Sequence, residues 1–262
     1  MKLFTQFCGL FSTAIFALFF LMHPVYAASS FNTNSLVSFT LTGITNLTTP
    51  GDLTDLEVAG SFALDNGSIV TSSPILLDYI PGSLSSPVNP GNTFSQTFGA
   101  SGSVSNDNAT AYFLATRDPL LSGDPSLANL FLRNNSLTDS YQLGITLDYT
   151  LSASASGDVA NTDVSLDYYS LNSPSFEGFA LAAASAFIAP FGETTSNSVF
   201  LSLTLNPGDF EALSADVTIN GYIQAASPVP LPAAFWLFFS ALLTMPVFRK
   251  STRLNLSTIK AH

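Results

Sequence analysis

Between Ala28 and Pro228 the side chains suited to proton transfer are carboxylates, because both histidines (His23, His262), the single cysteine (Cys8) and all three lysines lie in the terminal segments. Without His, Lys or Cys, that stretch cannot form a disulfide, a His or Cys metal site, a serine or cysteine triad, or a Schiff base. What remains is glycosidase-type chemistry, in which two acids flank a sugar bond, one donating a proton and the other acting as nucleophile or base. Glu57, Glu177, Glu193, Glu211, Asp148 and Asp167 are the candidates. No spacing pairs any two of them, and Asp148 and Asp167 fall at polar positions of alternating segments, where a carboxylate is simply hydrated. No catalytic residue is assigned, and the chain is read as a non-enzyme that needs no cofactor.

Oxygen-rich stretches at Asn106-Asp107-Asn108 and 158–163 suit calcium by ligand type, but neither has EF-hand spacing. They read as turns in which Asn and Asp bond to nearby backbone, so no metal is assigned. Arg117-Asp118-Pro119 reads as an exposed turn. Tyr168, Tyr169 and Tyr222 are the aromatics that would form a stacking platform if the domain were an extracellular carbohydrate-binding module. Charge narrows the partners further. All eighteen acidic residues lie between Ala28 and Pro228 against two arginines, a net charge of −16. Such a surface repels phosphate backbones, so nucleic acid is not expected as a partner.

These residues must be carried by strands. Apolar and polar residues alternate from Tyr141 to Leu151, which predicts a half-buried antiparallel strand. Period-two runs recur at Val37–Leu41, Leu56–Leu64, Thr110–Leu114, Val164–Tyr168, Val199–Leu205 and Ala215–Ile219. Asp65-Asn66-Gly67-Ser68 and Asn206-Pro207-Gly208-Asp209 supply turn chemistry, and Gly157 to Thr162 is expected to join two strands. Ser152-Ala153-Ser154-Ala155-Ser156 continues the alternation. Seven strands predict an all-β fold, an antiparallel β-sandwich of jelly-roll type, over 28–226. The one helix the pattern allows lies between Ser173 and Pro190, with Ser173 as cap and Phe176, Phe179, Ala183 and Phe187 facing the core; Gly178 within it leaves a strand or an irregular packed loop as the alternative. A long surface loop is expected from Pro74 to Gln96, with one strand at Ile75–Tyr79.

The two ends read as targeting segments. After Lys2 an apolar run from Cys8 to Met22 is broken by His23-Pro24, and Val25-Tyr26-Ala27 places small residues at the −3 and −1 positions. This predicts a signal peptide over 1–27, cleaved after Ala27 with Ala28 as the alternative site. At the other end, 227–262 begins with a proline-stiffened stretch, Ser227-Pro228-Val229-Pro230-Leu231-Pro232. Ala233 to Phe248 then runs sixteen residues without a charge, about 24 Å as a helix, enough to span a bilayer with snorkelling basic flanks. Phe235, Trp236, Leu237, Phe238, Phe239, Leu242 and Leu243 form its apolar body as a single transmembrane helix. Arg249, Lys250 and Arg253 form the basic stop, which stays cytoplasmic and leaves the acidic body outside.

Val229-Pro230-Leu231-Pro232-Ala233, followed directly by an aromatic-rich span and a basic cluster, resembles the VPLPA variant of the PEP-CTERM sorting signal. The resemblance covers about the last 35 residues. It implies recognition by an exosortase-type processing enzyme, removal of the tail near the proline motif, and delivery of the body to the cell surface or to an exopolysaccharide matrix. The chain is accordingly expected to be held in the inner membrane through its C-terminal helix before processing.

Overall fold

The computed structural model describes residues 28–62, 64, 75–104, 110–115 and 128–224. Twelve strands follow one another along these residues, which contain no helix: β1 (Ser29–Asn46), β2 (Leu56–Ser61), β3 (Ile75–Ile80), β4 (Ser83–Ser85), β5 (Thr93–Val104), β6 (Thr110–Ala115), β7 (Leu130–Asn134), β8 (Tyr141–Ser156), β9 (Val159–Ser170), β10 (Glu177–Ser185), β11 (Gly192–Leu205) and β12 (Phe210–Gln224). They form two antiparallel sheets. The first runs β11-β8-β1-β5-β3; the second runs β10-β9-β12-β7-β2-β4, with β6 also paired to β12. Along one edge of β12, Phe210–Leu213 pair with β7 and Ile219–Gln224 pair with β6.

Alternation decides which face of each strand is buried. In β8, Tyr141, Leu143, Ile145, Leu147, Tyr149, Leu151, Ala153 and Ala155 all point inward, while Gln142, Asp148, Thr150, Ser154 and Ser156 are exposed. The alanine–serine stretch thus extends the strand, as its period-two pattern predicts. Every segment expected as a strand from alternation falls on one, although β2 ends at Ser61. The two sheets share one hydrophobic core, which makes an antiparallel β-sandwich. Phe39 of β1 stacks on its ladder partner Phe94 of β5 at 5.6 Å within the first sheet, and rings knit the layers together where Phe39 also stacks on Phe62, beyond β2, at 6.1 Å. Tyr149 of β8 meets Tyr168 of β9 at 6.2 Å.

Two of these contacts require glycine. Phe94 lies against Gly60 of β2 so closely that a Cβ there would approach the ring to 2.7 Å. Phe31 of β1 lies in the same way across Gly221 of β12. Turn geometry is equally specific. Asn206-Pro207-Gly208-Asp209 closes a turn with Gly208 at φ 81° and an Asp209 N–H to Asn206 O bond of 3.0 Å, the arrangement of a type II turn. Thr49-Pro50-Gly51-Asp52 and Asn89-Pro90-Gly91-Asn92 repeat it, with Gly51 at 90° and Gly91 at 91°.

Three expectations are corrected. The helix between Ser173 and Pro190 is strand β10, paired to β9 across nine residues. Alanine's helix propensity is weak beside a full ladder of backbone hydrogen bonds, and the segment also satisfies a period of two. Ala180, Ala182 and Ala184 go inward as small residues, while Phe179 and Phe187, expected in the core, are each 60% exposed. Within the expected loop from Pro74 to Gln96 the strand expected at Ile75–Tyr79 is present as β3, but β4 and the start of β5 lie there too. The connection expected over 157–162 is only Gly157-Asp158, with Gly157 at φ 96°. The turn at Asp65–Ser68 lies outside the described residues.

Replacing Gly221 by alanine is expected to push Phe31 out of its seat and to destabilise the fold by about 1–3 kcal/mol. Gly192→Ala, whose Cβ would meet nothing nearer than 3.5 Å, is the control. Urea denaturation of the two variants checks the difference.

Candidate functional site

The outer face of the second sheet carries a row of acids. Asp167 of β9 stands directly opposite Asp216 of β12, one rung from Tyr169 opposite Ser214 on the same face. On the other side Asp167 faces Phe179 of β10, and Tyr169 faces Glu177. Asp163 of β9 accepts a hydrogen bond of 2.8 Å from the Asn220 side chain. Like charges opposite one another cost stability unless other groups compensate. At Asp216, which is 8% exposed, the Ser214 hydroxyl lies 3.3 Å from both carboxylate oxygens. Asn129 completes the group. Its Oδ1 accepts from the Ala215 N–H at 2.7 Å and from the Ser214 hydroxyl at 3.2 Å, on the stretch of β12 between its pairings with β7 and β6. An inserted side chain thereby satisfies backbone that no strand among the described residues reaches on that side.

Sequence singled out Asp167 but not Asp216, Ser214 or Asn129. The pairing is one of register between strands far apart in the chain, and no local spacing signals it. A glycosidase needs two carboxyl groups about 5 to 9.5 Å apart on either side of a sugar. Asp167 and Asp216 stand side by side on one sheet face instead, with Asp216 buried.

The other candidate acids are dispersed. Glu211, 3% exposed, is held by three donors, two of them from the β9–β10 connection: its Oε1 accepts from the N–H groups of Asn172 at 3.0 Å and Ala212 at 2.9 Å, and its Oε2 from the Ser173 hydroxyl at 2.9 Å. Ser173, expected as a helix cap, therefore fastens the β9–β10 connection to β12. Glu193 of β11 accepts from the Ala183 N–H of β10 at 2.9 Å, and the Thr195 hydroxyl donates to Leu181 O at 2.9 Å. Side chains thus join the edge of one sheet to the edge of the other. Glu57 accepts from Asn135 Nδ2 at 3.1 Å and lies opposite Arg133 in the β2–β7 ladder. Glu177 is exposed. Asp148 lines a shallow groove of about 260 Å³ on the first sheet, together with Leu36, Ser38, Thr150, Ser196 and Asn197.

Among the described residues, no three acidic side chains come together as a metal cage. Asp158 is exposed in its turn, and Asn106–Asn108 and Arg117–Pro119 lie outside the described residues. The tyrosines do not form a platform. Tyr168 packs into the core against Tyr149 and against Phe176 at 5.4 Å. Tyr169 and Tyr222 share an outer face, but the β12 residues beside them are Ser214 and Tyr222 itself, roughly 27 Å apart along a strand. Burial raises the Tyr168 phenol above its ordinary pKa, with Tyr149 adding to it. Tyr141 is raised in the same direction, first by burial and then by the charges of Asp55, Asp139 and Asp52.

Of the targeting residues, Ala28 is described, exposed and directly ahead of β1. Ala27, the sorting motif Val229–Ala233, the apolar span and Arg249, Lys250 and Arg253 lie outside the described residues.

No family model and no curated protein matches the chain. Among solved structures it is similar to Eiger TNF from S. frugiperda, at 11% identity over 67% of this chain and 96% of that one, with a TM-score of 0.16. A likeness that slight carries no argument about fold or function.

Glu211→Gln exchanges an acceptor that takes three hydrogen bonds for an amide that repels one of the donors. It is expected to lower stability by about 1–3 kcal/mol, read from the urea midpoint.

Proposed function

We propose that this chain is an exported, non-enzymatic component of the cell surface or of an exopolysaccharide matrix, sorted through its C-terminal tail. The observation that carries the reading is the order of features after Ser227: the motif Val229-Pro230-Leu231-Pro232-Ala233, sixteen uncharged residues, then Arg249, Lys250 and Arg253. A proline motif stiffens the approach to lipid, an apolar span enters it, and basic residues stop transfer on the cytoplasmic side. The apolar run and small-residue site over 1–27 supply export in the matching direction. An exosortase-type enzyme is the proposed processing partner, acting near Pro232 while the chain is held in the inner membrane.

The body suits this role. A jelly-roll-like sandwich of long strands, with a charge of −16 between Ala28 and Pro228, resists association with other anionic chains and stays in solution beyond the envelope. Lacking cysteine, it needs no oxidising compartment to mature.

Fractionation and intact-mass measurement of the native protein test the proposal. The expected product has lost residues 1–27 and everything beyond the neighbourhood of Pro232, and leaves the inner membrane. Full-length protein held permanently in the inner membrane would contradict it.

A further inference from the structure

The connection between β10 and β11 presents three large apolar side chains to solvent: Phe187 is 60% exposed, Ile188 73% and Phe191 60%. No residue from Gly178 to Gly192 is charged. The loop is closed at its base, since the Ser185 N–H donates to Pro190 O at 3.2 Å and the Ala155 N–H to Phe191 O at 3.0 Å. It is therefore a formed apolar knob on the sandwich. Exposed apolar groups gathered in this way mark a surface that meets something less polar than water.

Strand register places the knob. The Ala186 N–H bonds to Ala160 O, and Ala160 pairs with Ile223 of β12, one residue before Gln224. The chain thus leaves β12 two strand spacings from the base of the knob, about 10 Å. The other end of the body lies at the same pole, where Ser29 Oγ accepts from the N–H groups of Asp158 and Val159 at 3.2 and 3.0 Å. Eight residues, 225–232, separate the end of β12 from the apolar span beginning at Ala233. Fully extended as polyproline they reach about 25 Å. A body tethered that briefly keeps this pole within reach of whatever holds the apolar span.

Charge distinguishes the two poles. Asn46, Asn134 and Asp139 are linked by hydrogen bonds at the far one, and Asp52, Asp55, Glu57 and Asp209 lie there too. Among the described residues the acids near the knob are Asp158, in the β8–β9 turn, Asp163, opposite Ala183 in the β9–β10 ladder and bonded to the Asn220 side chain, and Glu193, whose carboxylate is tied to the Ala183 N–H. Two of these three carboxylates are already held by donors of the sandwich, and a bilayer surface admits the pole with fewer charges more readily than the other.

We infer that Phe187, Ile188 and Phe191 insert into the lipid interface of the membrane that holds the tail, seating the sandwich on its exit pole. Insertion to about 5–10 Å, the depth typical of interfacial apolar side chains, buries all three. This rests on reading Ala233–Phe248 as a membrane anchor.

The test uses the exported chain with its tail intact, in phosphatidylcholine vesicles with or without brominated acyl chains, which quench tryptophan within the bilayer. Trp236 is the sole native tryptophan and reports the anchor. Ile188→Trp and Leu137→Trp are each made in a Trp236→Phe background, Leu137 being 92% exposed at the far pole. The expected result is that bromination lowers emission about two-fold for the native chain and for Ile188→Trp, and leaves Leu137→Trp unchanged. Quenching of Trp236 with none for Ile188→Trp would overturn the docking and leave the anchor standing. Equal quenching at positions 188 and 137 would overturn the polarity of the docking. No quenching of Trp236 would overturn the anchor, and the docking with it. Phe187→Trp, at a neighbouring exposed position, replaces Ile188→Trp should that variant not fold.

Discussion

The register of β8 between its two neighbours is the constraint on which the rest of the structure depends. Sixteen residues of this strand pair with β1 on one side, and fourteen of them, Tyr141–Ser154, pair with β11 on the other. Because side chains alternate with a period of two, a slip of one residue would turn Leu143, Ile145, Leu147 and Leu151 to water and drive Asp148 into the core. Burying an isolated carboxylate while exposing four aliphatic side chains is prohibitive. The ring of Tyr149 then fixes Tyr168 and, through it, Phe176 and β9, so the register of one sheet sets the placement of the other.

Long strands held in register give the molecule two unlike poles. At one, buried Asn46 and Asn134 spend their side chains on backbone: Asn46 accepts from the N–H groups of Thr48 and Thr49 and donates to Asp52 O, while Asn134 donates to Asp139 O and Leu205 O. Proline–glycine turns with left-handed glycines lock the connections there. At the other pole the chain enters β1, leaves β12 and carries the apolar knob. One end is thus polar and closed by hydrogen bonds, while the other carries the exposed apolar side chains of Phe187, Ile188 and Phe191.

Much of the fold was legible in residue order, because β8, β11 and the central part of β1 obey alternation on both faces. Where one face relaxes the rule, the reading failed. β10 buries only alanines inward and leaves Phe179 and Leu181 outward, so its aromatics mimic a helix face. β5 carries Gly99, Ala100, Ser101 and Gly102, small because Phe31 and Asn34 press against its backbone, and small residues have no visible period. Among candidate acids, the hydrated state of Asp148 was legible from its place in a pattern. The anchoring role of Glu211 and the partnership of Asp167 with Asp216 were not, since each depends on contacts set by tertiary structure. Phe187 shows the reverse case: an apolar residue expected in the core stands in solvent, beyond the end of β10 and at the parity of its outward residues Phe179 and Leu181.

Amide hydrogen exchange of the full chain tests the dependence on β8 most directly. The amides of Tyr141–Leu151 are expected to open only with global unfolding, more slowly than those of edge strand β3 and of the loop 186–191. Exchange of β8 amides at rates matching β3 would show that the central register does not hold the sandwich together.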